Sequence, residues 1–204
     1  MNTGELLERS LAYALGSVSA VVPGSLERLT PCAEWDLGEL LGHLDDSLDA
    51  LYEGLTGRPI GLFPQGPFPE GPLGEAASDP VCGFRRRACA VLGAWAAGPT
   101  DTVVVGDRPL DARVMTAVGA VEIAVHGWDV SQACGRARPI PSALAVELLQ
   151  VARCVVADED RGGRFAEPVA VPPSAPPRDL LLAFLGRLPG APRFLSGPGP
   201  VCLP

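Results

Sequence analysis

Apolar residues recur at intervals of three and four along four long stretches of the chain, and stretches rich in proline and glycine separate them. The first stretch carries Leu6, Leu7, Leu11, Leu15 and Val18, a period that lines one face of a helix. Thr3 stands where an N-cap belongs, and Pro23-Gly24 follows the end. The second opens at Asp36, with Glu39 three residues on as the partner of a capping box, and continues through Leu37, Leu40, Leu41, Leu44, Leu48 and Leu51. The third begins at Asp79-Pro80, a cap followed by proline at the first helical position, and reaches about Ala97. The fourth covers about Asp111 to Cys134, stops at Gly135 and is apolar nearly all round, which predicts a central helix.

Shorter elements fill the remainder. Thr102-Val103-Val104-Val105 reads as an isolated extended segment, about Ser142 to Ala157 as a fifth helix, and Asp179 to Leu188 as a short amphipathic one. Thr56 to Ser78 holds Pro64, Pro67, Pro69 and Pro72 among glycines, so it is expected to be a long loop, with Phe63 and Phe68 available to close over a pocket. The expected fold is all-α: a helical bundle over residues 1–189, with extra C-terminal helical segments and long Pro/Gly-rich loops, followed by an irregular tail over 190–204.

Composition narrows the partners. The 204 residues are 47% hydrophobic, enough for one well-buried domain. Net charge is −8, and all 16 basic residues are arginine, so nucleic acid is not an expected partner. The N-terminus lacks the basic start of an export signal, and the Leu11–Val22 stretch is short and interrupted by Gly16, Ser17 and Ser19, so neither secretion nor a membrane is expected. The six cysteines are scattered, with no C-x-x-C pair. The expectation is reduced thiols in a cytoplasm. Cys32, just before the second helix, reads as a small buried residue or a reactive thiol.

The chain has 2 histidines. His126 follows Glu122 by one helical turn, so both side chains project from one face. His43 lies on the apolar side of the second helix, near Leu40 and Leu44. Two facing helices can therefore bring His43, Glu122 and His126 to one point, and a His2Glu set is a catalytic zinc ligand set with one position open. The alternative is two hydrogen-bonded core histidines with Glu122 paired to an arginine.

Several neighbours have paired readings. Asp129, three residues beyond His126, is a candidate acceptor for a ligand imidazole or an acid–base group, with a local cap or ion pair as the alternative. Trp128 and Trp35 are candidates to line a cofactor pocket or to be plain core. Arg85, within Arg85-Arg86-Arg87, is a candidate to receive a carboxylate or to sit on a solvated helix face.

Thr30-Pro31-Cys32-Ala33-Glu34-Trp35-Asp36-Leu37-Gly38-Glu39-Leu40-Leu41-Gly42-His43-Leu44 and the E-x-x-x-H-G-W-D run of Glu122 to Asp129 resemble two signatures of actinobacterial DinB-like proteins related to mycothiol-dependent maleylpyruvate isomerase. Phe165 to Val169 and Pro177 to Pro189 are similar to the ending of the family's single-domain members. The resemblance implies a DinB-type four-helix bundle holding a divalent metal at His43, Glu122 and His126. Zinc is the usual ion and nickel the alternative.

It further implies mycothiol or a similar low-molecular-weight thiol as cosubstrate, bound as a thiolate at the metal and added to an electrophilic small molecule, in a transferase or an isomerase. The two-domain isomerases also have a C-terminal domain that contributes to the active site, and the stretch after Gly135 is too short to be that domain. The electrophile is therefore left open. A hydrolase that activates water, and a non-catalytic protein that binds metal or a small molecule, are the competing readings. Monomer and homodimer are both compatible with the apolar excess.

Overall fold

The computed structural model describes residues 2–32, 35–61, 79–161 and 165–189. The four long helices are α1 (Thr3–Val18), α2 (Leu37–Leu55), α3 (Pro80–Ala96) and α4 (Ala112–Ala133). Their starts follow cap chemistry. Asn2, not Thr3, caps α1, its side chain accepting from the Gly4 and Glu5 backbone N–H groups. Asp36 and Glu39 close the expected capping box on α2, each accepting from the other's backbone N–H at 2.9 Å. Asp79 caps α3, where Pro80 occupies the first turn. Asp111 caps α4.

Helix α4 is central, as its all-round apolar sequence predicts. It packs against α1, α2 and α5 (Ser142–Val155). Two glycines let neighbours approach closely. A Cβ on Gly127 would lie 3.0 Å from the Ala14 Cα and Cβ on α1, and one on Gly119 would lie 2.7 Å from Leu51 Cδ2 on α2. Leu6, Leu7, Leu11, Leu40, Leu44, Leu48, Ile123 and Leu148 are fully buried between these helices. Helix α3 packs on α2, and α6 (Pro177–Phe184) packs on α5.

The segment read as isolated is half of a hairpin. β1 (Thr102–Val105) pairs antiparallel with β2 (Arg108–Asp111), Val103 opposite Leu110. Ile60, beyond the end of α2, ties onto it: its N–H donates to the Val104 carbonyl at 2.9 Å, and Gly106 N–H donates to the Ile60 carbonyl at 2.8 Å. Arg108-Pro109-Leu110-Asp111 carries no β-branched residue, and proline marks an edge, so no strand signal was there to read.

The fifth helix ends at Val155 and the last at Phe184, both short of their expected ends. Residues 62–78, including the lid candidates Phe63 and Phe68, and the tail 190–204 lie outside the described residues. No described helix is long and apolar enough to cross a membrane.

Candidate metal centre

Helix α2 presents His43 two turns beyond its cap, and α4 presents Glu122 and His126 one turn apart. Packing of α2 on α4 brings all three together. Glu122 Oε1 lies 2.7 Å from His43 Nε2 and 2.9 Å from His126 Nε2. The three donor atoms fall within 4.8 Å of one another. Ligands of a tetrahedral zinc, at bonds of roughly 2.1 Å, stand about 3.4 Å apart. The two edges that meet at Glu122 Oε1, at 2.7 and 2.9 Å, thus have to open by roughly half an ångström or slightly more to admit an ion.

Charge points the same way. Burial pushes the Glu122 carboxyl up, but the two imidazoles outweigh it and hold the group well below the usual carboxylate range. Burial lowers His126, yet the Glu122 and Asp129 carboxylates raise it to about 9. One carboxylate oxygen is the target of two ring nitrogens, both of which need a proton to donate to it. A divalent cation takes the place of both protons with one charge centre, and the donor set of two imidazoles and a carboxylate suits zinc.

The centre has a wet side and a dry side. The His43 and Glu122 side chains are 16% and 23% exposed, whereas His126 is 4% and Asp129 0%. Trp35 leans over the wet side, its ring 4.6 Å from the His43 ring and 6.2 Å from the His126 ring. The indole itself is half-buried.

On the dry side, His126 Nδ1 faces Asp129 Oδ2 at 3.0 Å, and Arg187 Nη2 donates to the same oxygen at 3.0 Å. Burial raises the Asp129 carboxyl, but Arg187 and then His126 bring it below its ordinary value. Asp129 therefore sits at the ring nitrogen opposite the donor triangle. It faces the His126 ring nitrogen and is ion-paired with Arg187, so both the acceptor geometry and the ion pair among its expected readings are present.

A second group of donor atoms, Cys32 Sγ, His126 Nδ1 and Asp129 Oδ2, also converges. It suits a cation poorly. Arg187 Nη2 already lies 3.4 Å from the sulfur and 3.0 Å from the carboxylate, and Cys32 is disulfide-bonded. This corrects the expectation of reduced thiols throughout, although Cys82, Cys89, Cys134 and Cys154 are free.

The other candidates separate. Trp128 is 6% exposed and belongs to the hydrophobic core, so the pocket reading gives way to the core reading. Arg85 is exposed on α3. Of the three consecutive arginines it is Arg87 that turns inward, 3.2 Å from Asp45 and 3.1 Å from Asp49 on α2. Arg187 escaped the sequence reading altogether. The available signal was indirect: an aspartate three residues past a core histidine on an all-apolar helix needs a cation.

A family model described as mycothiol maleylpyruvate isomerase N-terminal domain matches residues 7–131. The chain belongs to this family. The matched stretch holds His43, Glu122, His126 and Asp129, and ends before α5, α6 and Arg187. Within this mycothiol-related family, two uncharacterized proteins of Mycobacterium tuberculosis, from strains CDC 1551 / Oshkosh and ATCC 25618 / H37Rv, are each 30% identical over 165 residues. Each alignment covers 78% of this chain and 82% of the relative. No solved structure matches the chain.

Proposed function

We propose that this family member is a divalent-metal-dependent enzyme that binds a low-molecular-weight thiol of the mycothiol kind and directs its sulfur at an electrophilic small molecule, as a transferase or an isomerase. The observation that carries this reading is the convergence of His43 Nε2, Glu122 Oε1 and His126 Nε2 on one point with exposure on one side only. Three protein donors leave a tetrahedral ion one position for an exogenous ligand. Zinc is the favoured ion, from the donor set.

Each residue has a part. His43, Glu122 and His126 would hold the ion, which when bound supplies a positive centre that favours thiolate over thiol. Glu122 contributes the single negative charge among the three donors, so the centre keeps a net positive charge toward an anionic sulfur. Trp35 narrows the approach and excludes water from the face of the His43 ring. Asp129 keeps His126 oriented from behind. In a transfer the thiol S–H is exchanged for an S–C bond and the proton goes to the substrate. In an isomerisation the S–C bond forms, the adduct rotates and the same bond breaks.

The test is incubation of the zinc-loaded protein with mycothiol and a panel of activated alkenes and epoxides, read by mass spectrometry for adducts and by chromatography for isomers. Product should depend on both metal and thiol. Metal-dependent turnover without any thiol would select the hydrolase reading, and a loaded protein inert throughout the panel would favour the non-catalytic one.

A further inference from the structure

The polar chain on the dry side of the centre is not accounted for by binding an ion alone. Asp129 is 0% exposed and Arg187 6%. A buried ion pair contributes little over well-packed apolar residues of the same volume, so stability is a poor reason for placing one here. Its geometry is specific. A single oxygen, Asp129 Oδ2, meets both Arg187 Nη2 and His126 Nδ1 at 3.0 Å, while Oδ1 lacks a hydrogen-bond partner among the described residues.

The path by which Arg187 reaches this oxygen is equally determined. Helix α6 closes with a Schellman turn: Gly186 N–H donates to the Ala183 carbonyl at 3.0 Å, and Arg187 N–H to the Leu182 carbonyl at 2.8 Å. Gly186 has φ +78°, and a Cβ there would fall 2.6 Å from the Ala166 Cβ. The chain reverses at the one residue type that fits and turns the next side chain into the bundle. Arg187 Nη1 then donates to the Leu185 carbonyl at 3.1 Å, which fixes the guanidinium plane.

We propose that Arg187 is a positioning residue of the metal centre: its guanidinium holds the Asp129 carboxylate, and that carboxylate holds the His126 ring with Nδ1–H directed at Asp129 and Nε2 directed at the donor triangle. Carboxylate–histidine–metal relays fix the tautomer of a ligand imidazole in this way. Here the relay has a fourth member, supplied by a segment beyond the stretch that defines the family. The inference rests on the metal reading above.

Titration of the full-length metal-free protein with Co2+, followed by the visible d–d bands and by chelator competition, tests both. The wild type should bind one ion. Arg187→Met should weaken binding by roughly 10- to 100-fold and alter the bands. Arg187→Lys keeps the charge without the fork and should recover part of the affinity. In the zinc-saturated protein, a long-range 1H–15N spectrum of the two histidines should show His126 in the Nδ1–H form in the wild type, and a changed His126 signal in Arg187→Met.

A role confined to packing would lower the melting temperature of the variants and leave affinity, bands and His126 signals at wild-type values, and that result overturns the inference. Should Arg187→Met fail to fold, Arg187→Lys with unchanged affinity and spectra overturns it as well. Failure of the wild type to bind Co2+ would instead overturn the metal reading itself.

Discussion

Glu122 Oε1 is approached by two imidazole nitrogens, and one of them belongs to a histidine that holds its proton to about pH 9. An ion at the triangle must displace that proton from His126 Nε2. Between pH 6 and pH 8 the proton is bound in the metal-free protein, so metal binding releases it and affinity falls as pH falls, by about tenfold per unit for one proton. Chelator competition at three pH values checks this, and a pH-independent constant would show that His126 is not a ligand. His43 offers a complementary test. His43→Ala should lose at least about 100-fold in zinc affinity, more than is typical for losing an outer-shell partner, while the metal-free protein unfolds close to the wild-type temperature.

Residue spacing made the triangle legible in the sequence: one helical turn between Glu122 and His126, and a histidine on the apolar face of a capped helix. Arg187 was not legible, because it bonds to a residue 58 positions earlier and its Gly-Arg setting reads as an ordinary helix end.

The helices were legible because each rests on local chemistry, an apolar period and a cap, and their close packing is written in glycines at the contacts. Gly127 sits beside His126 and lets α4 meet α1 at Ala14. Gly127→Ala forces those backbones apart, with an expected cost of about 1–3 kcal/mol in denaturant unfolding. The α2–α3 contact depends on charge instead. Arg87, Asp45 and Asp49 are 5%, 20% and 15% exposed, and burial pushes the Asp45 carboxyl up to about 6 even with Arg87 alongside.

Arg87→Met would leave two desolvated carboxylates without that cation, and a loss of about 3–5 kcal/mol is expected from the same kind of measurement. The hairpin is the element the sequence concealed. Its second strand forms through backbone pairing with β1, and its own side chains carry no alternation for a period-based reading to detect.

At the scale of the whole molecule, metal binding and folding are linked, since the donors come from two helices that meet only in the native bundle. Zinc at a hundredfold over its dissociation constant should stabilise the protein by about 2.7 kcal/mol. In a domain of this size that corresponds to a rise in melting temperature of roughly 5–10 °C. Scanning calorimetry with and without zinc measures the rise, which His43→Ala should abolish.

The Asp129–Arg187 contact also imposes an order in time. Synthesis proceeds from the N-terminus, and all three donors emerge well before residue 187. A nascent chain can gather His43, Glu122 and His126 while the carboxylate behind His126 still lacks its cation. On the positioning role proposed for Arg187, uptake of the ion at full affinity waits until the chain through residue 187 has emerged, so a ribosome-bound intermediate stalled before α6 should capture zinc only weakly.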